Sequence, residues 1–457
     1  MFARGRQRAR DYSRPNFLIM DAMAEPARIF KRLQLAGWRQ FGSVDVEFHS
    51  QFTVLTGVNG VGKSSLLNIL AKQVGVDRPY LSVPRKNKEG GFTYWTGRLL
   101  SSEWWTGAFS ILTQRPTNQV GEVTYSDGQI AQLTVPDSVG YGYQLAVTNQ
   151  KPVVGIAITS HRPLPMYQPV PSISFRGLDP DQAYGSFIGE SNAHYKGERT
   201  NSSLMFQIKN ALATWAIMGE GNSILEPNVR QKDAYLGFET ILLQILPESL
   251  GFLELSIRPP DVVMVTKSGD FLIDAASGGV AALIEYAALI YGCSLRPEVM
   301  GRPFVVTIDE PENHLHPSLQ RSLFAKLTKA FPNTQFIAAT HSPFIVSSLK
   351  ESNVYVLRYD TLDSPTEKTE ISRVFSTRLD YSNRAGTATE ILRDVLGVPT
   401  TLPQWVEIDL DRIVKKYQSG TIDETMLTEL KAELRGAGLD DLFSEALASI
   451  ARSVPKT

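Results

Sequence analysis

Apolar and polar residues alternate along residues 28–47, a pattern typical of half-buried β-strands. A short apolar run, FTVLTG, follows at 52–57 and predicts a buried strand that ends at Gly57. Apolar residues then recur at helical spacing over 63–73, and turn residues separate alternating runs between 120 and 150. The first part of the chain therefore predicts strands, a helix and an antiparallel β-hairpin layer.

The remainder alternates between apolar strands and helices. Runs at 153–160, 304–310 and 335–342 predict buried strands, whereas 180–250 and 317–331 predict helices. This alternation indicates a doubly wound α/β core. We expect the core over residues 28–360, with a helical lobe at about 180–250, a mainly helical C-terminal region over 361–457 and a disordered extension over 1–27.

Composition narrows the class of protein. The chain has 457 residues, 42% of them hydrophobic, and a formal net charge of -1, which gives no bulk indication of nucleic-acid binding. The single cysteine, Cys293, excludes an intramolecular disulfide framework and a multi-cysteine metal cluster, and it favours the cytoplasm. No apolar run approaches the ~20 residues of a membrane span, and the arginine-rich start lacks the apolar stretch of a signal peptide.

One glycine-rich segment has the complete pattern of a phosphate-binding loop. Residues 57–64, GVNGVGKS, match G-x-x-x-x-G-K-[ST] between a predicted strand and a predicted helix, a context that disfavours a chance match. Such a loop wraps phosphates with backbone N–H groups, while its lysine reaches the β- and γ-phosphates and its serine binds Mg²⁺. The candidate ATP-binding residues are Gly57, Asn59, Gly60, Gly62, Lys63, Ser64 and Ser65, and Ser64 is also a candidate metal ligand.

Two later strand ends carry candidate catalytic groups. The strand FVVTIDE ends in Asp309, a candidate Mg²⁺ ligand, and Glu310, a candidate general base for the attacking water. The alternative is a carboxylate that caps a turn before Pro311. His341 ends the next strand, where its side chain is placed to hydrogen-bond the γ-phosphate. A satisfied buried histidine is the alternative, but the spacing of one helix and one strand after Glu310 favours the catalytic interpretation.

A second candidate anion site precedes the strand that carries Asp309. Ser277, Gly278 and Gly279 begin a predicted helix, and a helix N-terminus attracts phosphate through its dipole and free N–H groups. An ordinary N-cap made by Ser277 is the alternative interpretation. The order of the motifs favours the phosphate site.

These motifs together resemble a known family. The loop at 57–64, the Ser-Gly-Gly turn, TIDEPENHLHPSLQ at 307–320 and ATHSP at 339–343 are similar to the ABC-type ATPases related to RecF, SMC proteins and the overcoming-lysogenization-defect (OLD) nucleases. The resemblance covers about residues 28–360. Within this group the chain is most similar to the stand-alone ATPases of bacterial anti-phage systems. Among these it resembles the PARIS AriA type most, and the Septu ATPase is the second choice.

The resemblance implies a head-to-tail homodimer or a higher homo-oligomer. Ser277, Gly278 and Gly279 of one subunit then contact the γ-phosphate held by Lys63 of the other, and Asn313, His314 and His316 lie in the D-loop at the same interface. The implied cofactors are ATP and Mg²⁺. The antiparallel layer at 120–150 and the helical lobe at about 180–250 are also expected from it.

The sequence departs from the family pattern at three places. The signature lacks the usual Leu-Ser-Gly-Gly-Gln form, because Ala276 precedes it and Val280 follows. No single residue is assigned to the Q-loop, for which the candidates are His161, Arg162, Gln168 and Gln114. OLD nucleases carry a Toprim nuclease domain after the ATPase, which needs a glutamate on a strand and an Asp-x-Asp motif. In this chain Asp409-Leu410-Asp411 matches Asp-x-Asp, but it lies in an amphipathic helical pattern.

Three functions are compatible with this pattern. The first is an ATPase that acts as sensor or scaffold in anti-phage defence, controls a separate nuclease or toxin effector and has a phage protein as candidate trigger. The second is a RecF-like DNA-repair or DNA-clamping ATPase, disfavoured by the near-neutral charge, although residues 85–88 are locally basic. DNA binding stays open. The third, a transporter subunit, requires a more regular signature, and we expect no membrane partner.

Overall fold

An eleven-stranded mixed β-sheet forms the centre of the computed structural model. The structure describes residues 27–86, 90–98, 118–137, 139–162, 165–174, 177–196, 198, 200, 202–362, 371–380, 386–398, 403–417, 423–444, 446–447 and 450. The extension expected to be disordered therefore lies outside the described residues, apart from Ala27. One Q-loop candidate, Gln114, also lies outside them.

The described strands and helices follow the predicted alternation. The strands are β1 (Phe30–Trp38), β2 (Phe41–Glu47), β3 (Phe52–Gly57), β4 (Tyr80–Leu81), β5 (Val83–Lys86), β6 (Phe92–Trp95), β7 (Gln119–Tyr125), β8 (Ile130–Thr134), β9 (Gly142–Tyr143), β10 (Ala146–Thr148), β11 (Gly155–Ile158), β12 (Phe252–Arg258), β13 (Asp261–Thr266), β14 (Phe271–Leu272), β15 (Phe304–Asp309), β16 (Thr334–Thr340), β17 (Asn353–Leu362) and β18 (Ile371–Arg378). The helices are α1 (Lys63–Gln73), α2 (Pro180–Lys196), α3 (Leu204–Glu220), α4 (Val229–Ile245), α5 (Gly278–Ser294), α6 (Pro317–Ala330) and α7 (Pro343–Val346). A short helical segment, Ala388–Glu390 with a π-helical turn at Ile391–Val395, and two C-terminal helices, Gln404–Tyr417 and Glu424–Gly436, follow them.

Five neighbouring strands, in the order β17, β3, β16, β15 and β11, run parallel and form the centre of the fold. Every residue of β3 and β16 is buried, because helices cover both faces of the sheet. The core on one face contains residues of α5, α6 and the helical lobe, and the core on the other contains residues of α1 and the N-terminal strands. The predicted doubly wound α/β fold is therefore confirmed.

The antiparallel layer extends the same sheet. Strands β1, β2, β7, β8 and β10 pair antiparallel in the order β10, β8, β7, β1, β2. Strand β18 joins this layer to the parallel core, since it pairs parallel with β2 and antiparallel with β17. The sheet thus continues beyond residue 360, where we expected the core to end, and a strand lies within the stretch expected to be mainly helical.

The helical lobe consists of α2, α3 and α4, which pack on the buried helix α5. Trp215 lies at its centre with 2% exposure, and its indole Nε1 donates a hydrogen bond to the carbonyl oxygen of Leu178 at 2.8 Å. A small antiparallel sheet, β12–β13–β14, leads from the lobe into the start of α5. The candidate phosphate site at Ser277 therefore lies where the lobe meets the core.

The two C-terminal helices pack against each other around an apolar cluster of their own that includes Val406, Ile413, Leu430 and Leu434. Asp409 lies on the first of them, where its carboxylate pairs with Arg412 at 2.8 Å, as expected for a helical surface. Within the part of the chain that the structure describes, no helix is both long and apolar enough to cross a membrane.

Candidate functional site

The phosphate-binding loop connects β3 to α1 through glycines with backbone angles that other residues rarely adopt. Gly57 has φ +141° and Gly62 has φ +95°. A Cβ atom on Gly57 would lie 2.3 Å from the carbonyl oxygen of Leu357, and one on Gly62 would lie 2.5 Å from Cζ of Phe41. Both positions therefore require glycine, and the loop is shaped by the strands beneath it.

Alanine at Gly62 is expected to damage the loop. The new Cβ atom overlaps Phe41 and Gln40, so we expect the free energy of unfolding to fall by about 2–3 kcal/mol and ATP affinity to fall with it. Gly75→Ala is the matched control, because Gly75 has a similar φ of +90° but nothing within 4 Å of its Cβ position. Urea unfolding and nucleotide titration of both variants test this, and equal losses in the two would contradict the steric argument.

Lys63 begins α1 and is buried at the base of the loop. Its Nζ atom donates hydrogen bonds to the carbonyl oxygens of Gly57 at 3.0 Å and Val58 at 3.2 Å. Burial lowers the pKa of Lys63 to about 8, although the carboxylates of Asp309 and Glu310 oppose the shift. The side chain is thus a cation held close to where a phosphate would lie.

The other loop residues surround this lysine. Asn59, Gly60 and Ser64 are exposed at the mouth of the loop, and Ser65 is half-buried behind them. The hydroxyl of Tyr359 donates to the carbonyl oxygen of Gly60 at 3.0 Å and braces the loop from β17. Every sequence-predicted residue of the loop is therefore brought together, and Tyr359 is a support that the motif alone did not indicate.

Asp309 ends β15 and has features that suit a metal ligand. Its Oδ1 atom is buried and makes no hydrogen bond to the described residues. Burial raises the pKa of Asp309, whereas a hydrogen bond with Ser64 and the charge of Lys63 lower it. A carboxylate oxygen without a partner beside a serine hydroxyl matches the oxygen ligands that Mg²⁺ prefers. Ser64 and Asp309 therefore fit the metal that the sequence implies.

Glu310 follows Asp309 in a strained backbone conformation. Its φ of +47° is uncommon for a residue with a side chain and costs on the order of 1 kcal/mol. Two contacts maintain it: the backbone N–H donates to the Ala339 carbonyl oxygen at 2.8 Å, and Asn313 Nδ2 donates to Glu310 Oε2 at 3.0 Å. Asn313 therefore orients the carboxylate, which is the role a positioned general base requires.

His341 follows β16, the strand that lies between β3 and β15. Its backbone N–H donates to Glu312 Oε1 at 2.7 Å, and the hydroxyl of Thr340 donates to Glu312 Oε2 at 2.8 Å. Burial and the charge of Lys63 lower the pKa of His341, which favours the neutral imidazole. Glu312 is thus the residue that fixes His341, and sequence reasoning missed it because its partners are 28 and 29 residues away.

The Ser-Gly-Gly turn lies in a different place from the phosphate-binding loop. Ser277 is the N-cap of α5, but its side chain makes no capping hydrogen bond, so the alternative of an ordinary side-chain cap is wrong. The three residues Ser277, Gly278 and Gly279 line an open groove of about 640 Å³ together with His314 and His316. Among the described residues that line this groove, none belongs to the phosphate-binding loop.

Two of the described Q-loop candidates, His161 and Arg162, lie between the lobe and the core. Arg162 donates from Nη2 to the carbonyl oxygen of Asn313 at 3.2 Å, and its guanidinium lies 4.8 Å from the ring centre of Tyr286. His161 is near it and lines a small cavity of about 30 Å³ with Arg162 and Glu285. Gln168 instead contacts α3, where it accepts a hydrogen bond from the backbone N–H of Ser203 at 3.3 Å. Arg162 is therefore the candidate that reaches the residues supporting Glu310.

Glu285 in this cavity predicts a dependence of stability on pH. It is 6% exposed, and burial raises its pKa from 4.5 to about 7 although Arg162 opposes the shift. The unfolded chain loses this proton at lower pH than the folded protein, so stability falls as the pH rises from about 4.5 to 7. We expect Glu285→Gln to be more stable than the parent by roughly 3 kcal/mol at pH 8, and equally stable at pH 4. Thermal melts across this range, with exposed Glu298→Gln as control, measure the difference.

The fold and the site together define a P-loop ATPase of the ABC type: a phosphate-binding loop, a carboxylate pair and a histidine meet at one sheet edge, and a Ser-Gly-Gly helix start lies apart from them. A family model described as "AAA domain, putative AbiEii toxin, Type IV TA system" matches residues 270–347, and one described as "AAA domain" matches residues 32–73. The first segment contains the Ser-Gly-Gly turn and the strand ends that carry Asp309, Glu310 and His341, and the second contains the phosphate-binding loop.

Two curated relatives match part of the chain. The chain is 24% identical over 170 residues to "Retron Ec83 probable ATPase" of Escherichia coli, covering 34% of this chain and 31% of the relative. It is 26% identical over 174 residues to "Septu protein PtuA" of Bacillus thuringiensis, covering 36% and 42%. The matches thus span less than half the length of these relatives. Among solved structures, the SMC head domain from Thermotoga maritima is 14% identical with a TM-score of 0.38, over 77% of this chain and 99% of that one.

Proposed function

We propose that this protein binds and hydrolyses ATP between two subunits and uses the resulting change of state in anti-phage defence. The observation that carries the proposal is the separation of two complementary half-sites. Lys63, Asp309, Glu310 and His341 influence one another electrostatically at the sheet edge, whereas Ser277 lines a separate outward groove. A phosphate bound at Lys63 can therefore contact a Ser-Gly-Gly turn only when a second subunit supplies that turn.

Each residue of the first half-site has a defined task in this proposal. Lys63 leaves the carbonyl oxygens of its own loop to pair with the β- and γ-phosphates. Glu310, oriented by Asn313, accepts a proton from the attacking water, and neutral His341 hydrogen-bonds the γ-phosphate. Ser64 and Asp309 would hold Mg²⁺, which supplies charge neutralisation on the phosphates when bound.

The second half-site acts on the nucleotide of the partner subunit. The backbone N–H groups in the first turn of α5 and the hydroxyl of Ser277, which makes no capping hydrogen bond, offer hydrogen-bond donors to an anion. His314 and His316 line the same groove, which suits their assignment to the dimer contact. A head-to-tail dimer therefore contains two ATP molecules, each between the loop of one subunit and the α5 start of the other.

The role in defence is supported by relatives rather than by the site. Two curated relatives are named as a retron ATPase and a Septu protein. We propose that the ATPase region spans residues 28–360 with the adjoining strand β18, and that a cytoplasmic assembly of this chain holds a separate nuclease or toxin effector. A phage protein is the proposed trigger, and ATP sets the state by binding one arrangement better than the other.

Affinity purification tests this proposal directly. Tagged Glu310→Gln protein is recovered from its host with ATP present, and the assembly is examined by native mass measurement and protein identification. A stoichiometric nuclease or toxin in a multi-subunit particle supports the defence role and identifies the effector. Recovery of DNA with repair proteins, lost at high salt, would replace it with the RecF-like function. A lone monomer with ATP present would contradict the dimer.

A further inference from the structure

Lys209 is a fully buried charged residue between the helical lobe and the small β12–β13–β14 sheet. It lies on α3, and its Nζ atom contacts three other segments of the chain. It donates to the carbonyl oxygen of Gln168 at 2.8 Å, to Asp261 Oδ1 at 2.8 Å and to Asp274 Oδ2 at 2.5 Å. A buried ammonium group is strongly unfavourable unless it is paired, so these contacts fix where the segments lie.

Asp274 connects this network to the Ser-Gly-Gly turn. It belongs to a single 3₁₀ turn, Ile273–Ala275, which ends two residues before Ser277, the N-cap of the helix that begins at Gly278. The Asp274 side chain is 2% exposed and its Oδ1 atom makes no hydrogen bond to the described residues, so Oδ2 and Lys209 form its anchoring contact. Because the turn is short, a displacement of Asp274 also displaces Ser277.

The other contacts of Lys209 extend towards the lobe. Asp261 begins β13, and Gln168 lies in the segment that follows β11, where its side chain accepts from the N-cap residue of α3, Ser203. One ammonium group thus joins α3, β13, the segment after β11 and the turn before α5.

We infer that Lys209 is a positioning residue, which through Asp274 holds Ser277, Gly278 and Gly279 in the orientation that engages the nucleotide of a second subunit. The inference rests on the proposed ATP-dependent dimer and names a residue that controls it. The Lys209–Asp274 pair acts on the partner's nucleotide and leaves the phosphate-binding loop of its own chain untouched. Binding of ATP within one subunit is therefore independent of the pair.

The test replaces Asp274, because Asp274→Ala cuts the contact to the turn while Asp261 still neutralises Lys209. Asp274→Asn is the conservative variant, since its amide oxygen can still accept from Lys209. Arg258→Ala is the matched control, because Arg258 pairs with Asp270 at 2.7 Å on the exposed side of the same small sheet. All three are made in the parent and in the Glu310→Gln background, and their folding is checked by thermal melts.

For Asp274→Ala we expect affinity for a fluorescent ATP analogue in the monomer to change by less than twofold. The dissociation constant of the ATP-dependent dimer is expected to rise at least tenfold, and kcat to fall at least tenfold with little change in KM. Asp274→Asn is expected to keep most of the dimer affinity and most of the kcat of the parent. Arg258→Ala is expected to match the parent in both quantities. Lys209→Met reproduces the dimer defect if it folds.

Two results would overturn the inference. The first is an Asp274→Ala protein that dimerises with ATP like the parent. The second is a loss of nucleotide binding in the monomer that accompanies the loss of dimerisation, which indicates general damage. Failure of the proposed function looks different, because the Glu310→Gln protein with an intact Lys209 network would then form no ATP-dependent dimer at all.

Discussion

Glu310→Gln is expected to bind ATP normally, to hydrolyse it at least about a hundredfold more slowly than the parent and to accumulate as a closed dimer. The amide keeps the hydrogen bond from Asn313 but cannot accept a proton from water, and removal of a general base typically lowers a rate by 10²–10⁴. Phosphate release in single-turnover assays measures the rate, and light scattering with and without ATP measures the dimer.

The control for this variant is Glu351→Gln, which neutralises an exposed carboxylate elsewhere on the chain. It separates the effect of the base from the effect of one fewer negative charge. Hydrolysis by Glu310→Gln at the parental rate would show that another group activates the water. His341 would then be the first residue to examine, because its pKa responds to the charges of Lys63 and Glu310.

Lys63→Ala is expected to weaken ATP binding by on the order of a hundredfold and so to abolish measurable hydrolysis and dimerisation at micromolar nucleotide. Removing one member of a buried, hydrogen-bonded charge pair costs about 2–5 kcal/mol. The free protein should remain folded, because the hydrogen bonds of Lys63 among the described residues go to loop carbonyl groups and its burial already disfavours the charge. Calorimetric titration with ATP and Mg²⁺ gives the affinity.

Lys72→Ala on the same helix provides the comparison. Lys72 pairs with Asp77 at 2.6 Å at the far end of α1, so its loss removes a similar charge without touching the loop. Its affinity for ATP should equal that of the parent. Equal weakening in the two variants would mean that α1 is destabilised as a whole, and retained affinity in Lys63→Ala would mean that the lysine does not contact the phosphates.

The parts of the site that the sequence predicted are those encoded by neighbouring residues. Residues 57–65 form a local motif between a strand and a helix, and Asp309, Glu310 and His341 each follow an apolar run that ends at the same sheet edge. Parallel pairing of β3, β16 and β15 brings these strand ends together without further information. Their placement was therefore predictable, whereas their individual roles stay predictions.

The supporting residues could not be predicted because their partners are distant in sequence. Arg162 contacts Asn313 across 151 residues, and Lys209 reaches Asp274 across 65. Strand β18 was missed for a similar reason, since a short alternating segment becomes a central strand only when β2 and β17 are present on either side. Side-chain networks and late strands depend on tertiary packing, which local periodicity does not encode.

The position of β18 also determines when the protein can finish folding. The hydroxyl of Ser376 accepts from the backbone N–H of Asp45 at 2.8 Å, across 331 residues of sequence. At ribosomal rates of ~5–20 residues per second, β2 is synthesised roughly 15–65 s before the strand that completes its pairing. During this interval the nascent chain presents an unpaired sheet edge, a surface prone to association with other chains. The central sheet thus cannot be completed before β18 has been synthesised, and chaperone supply is expected to limit the yield of active protein.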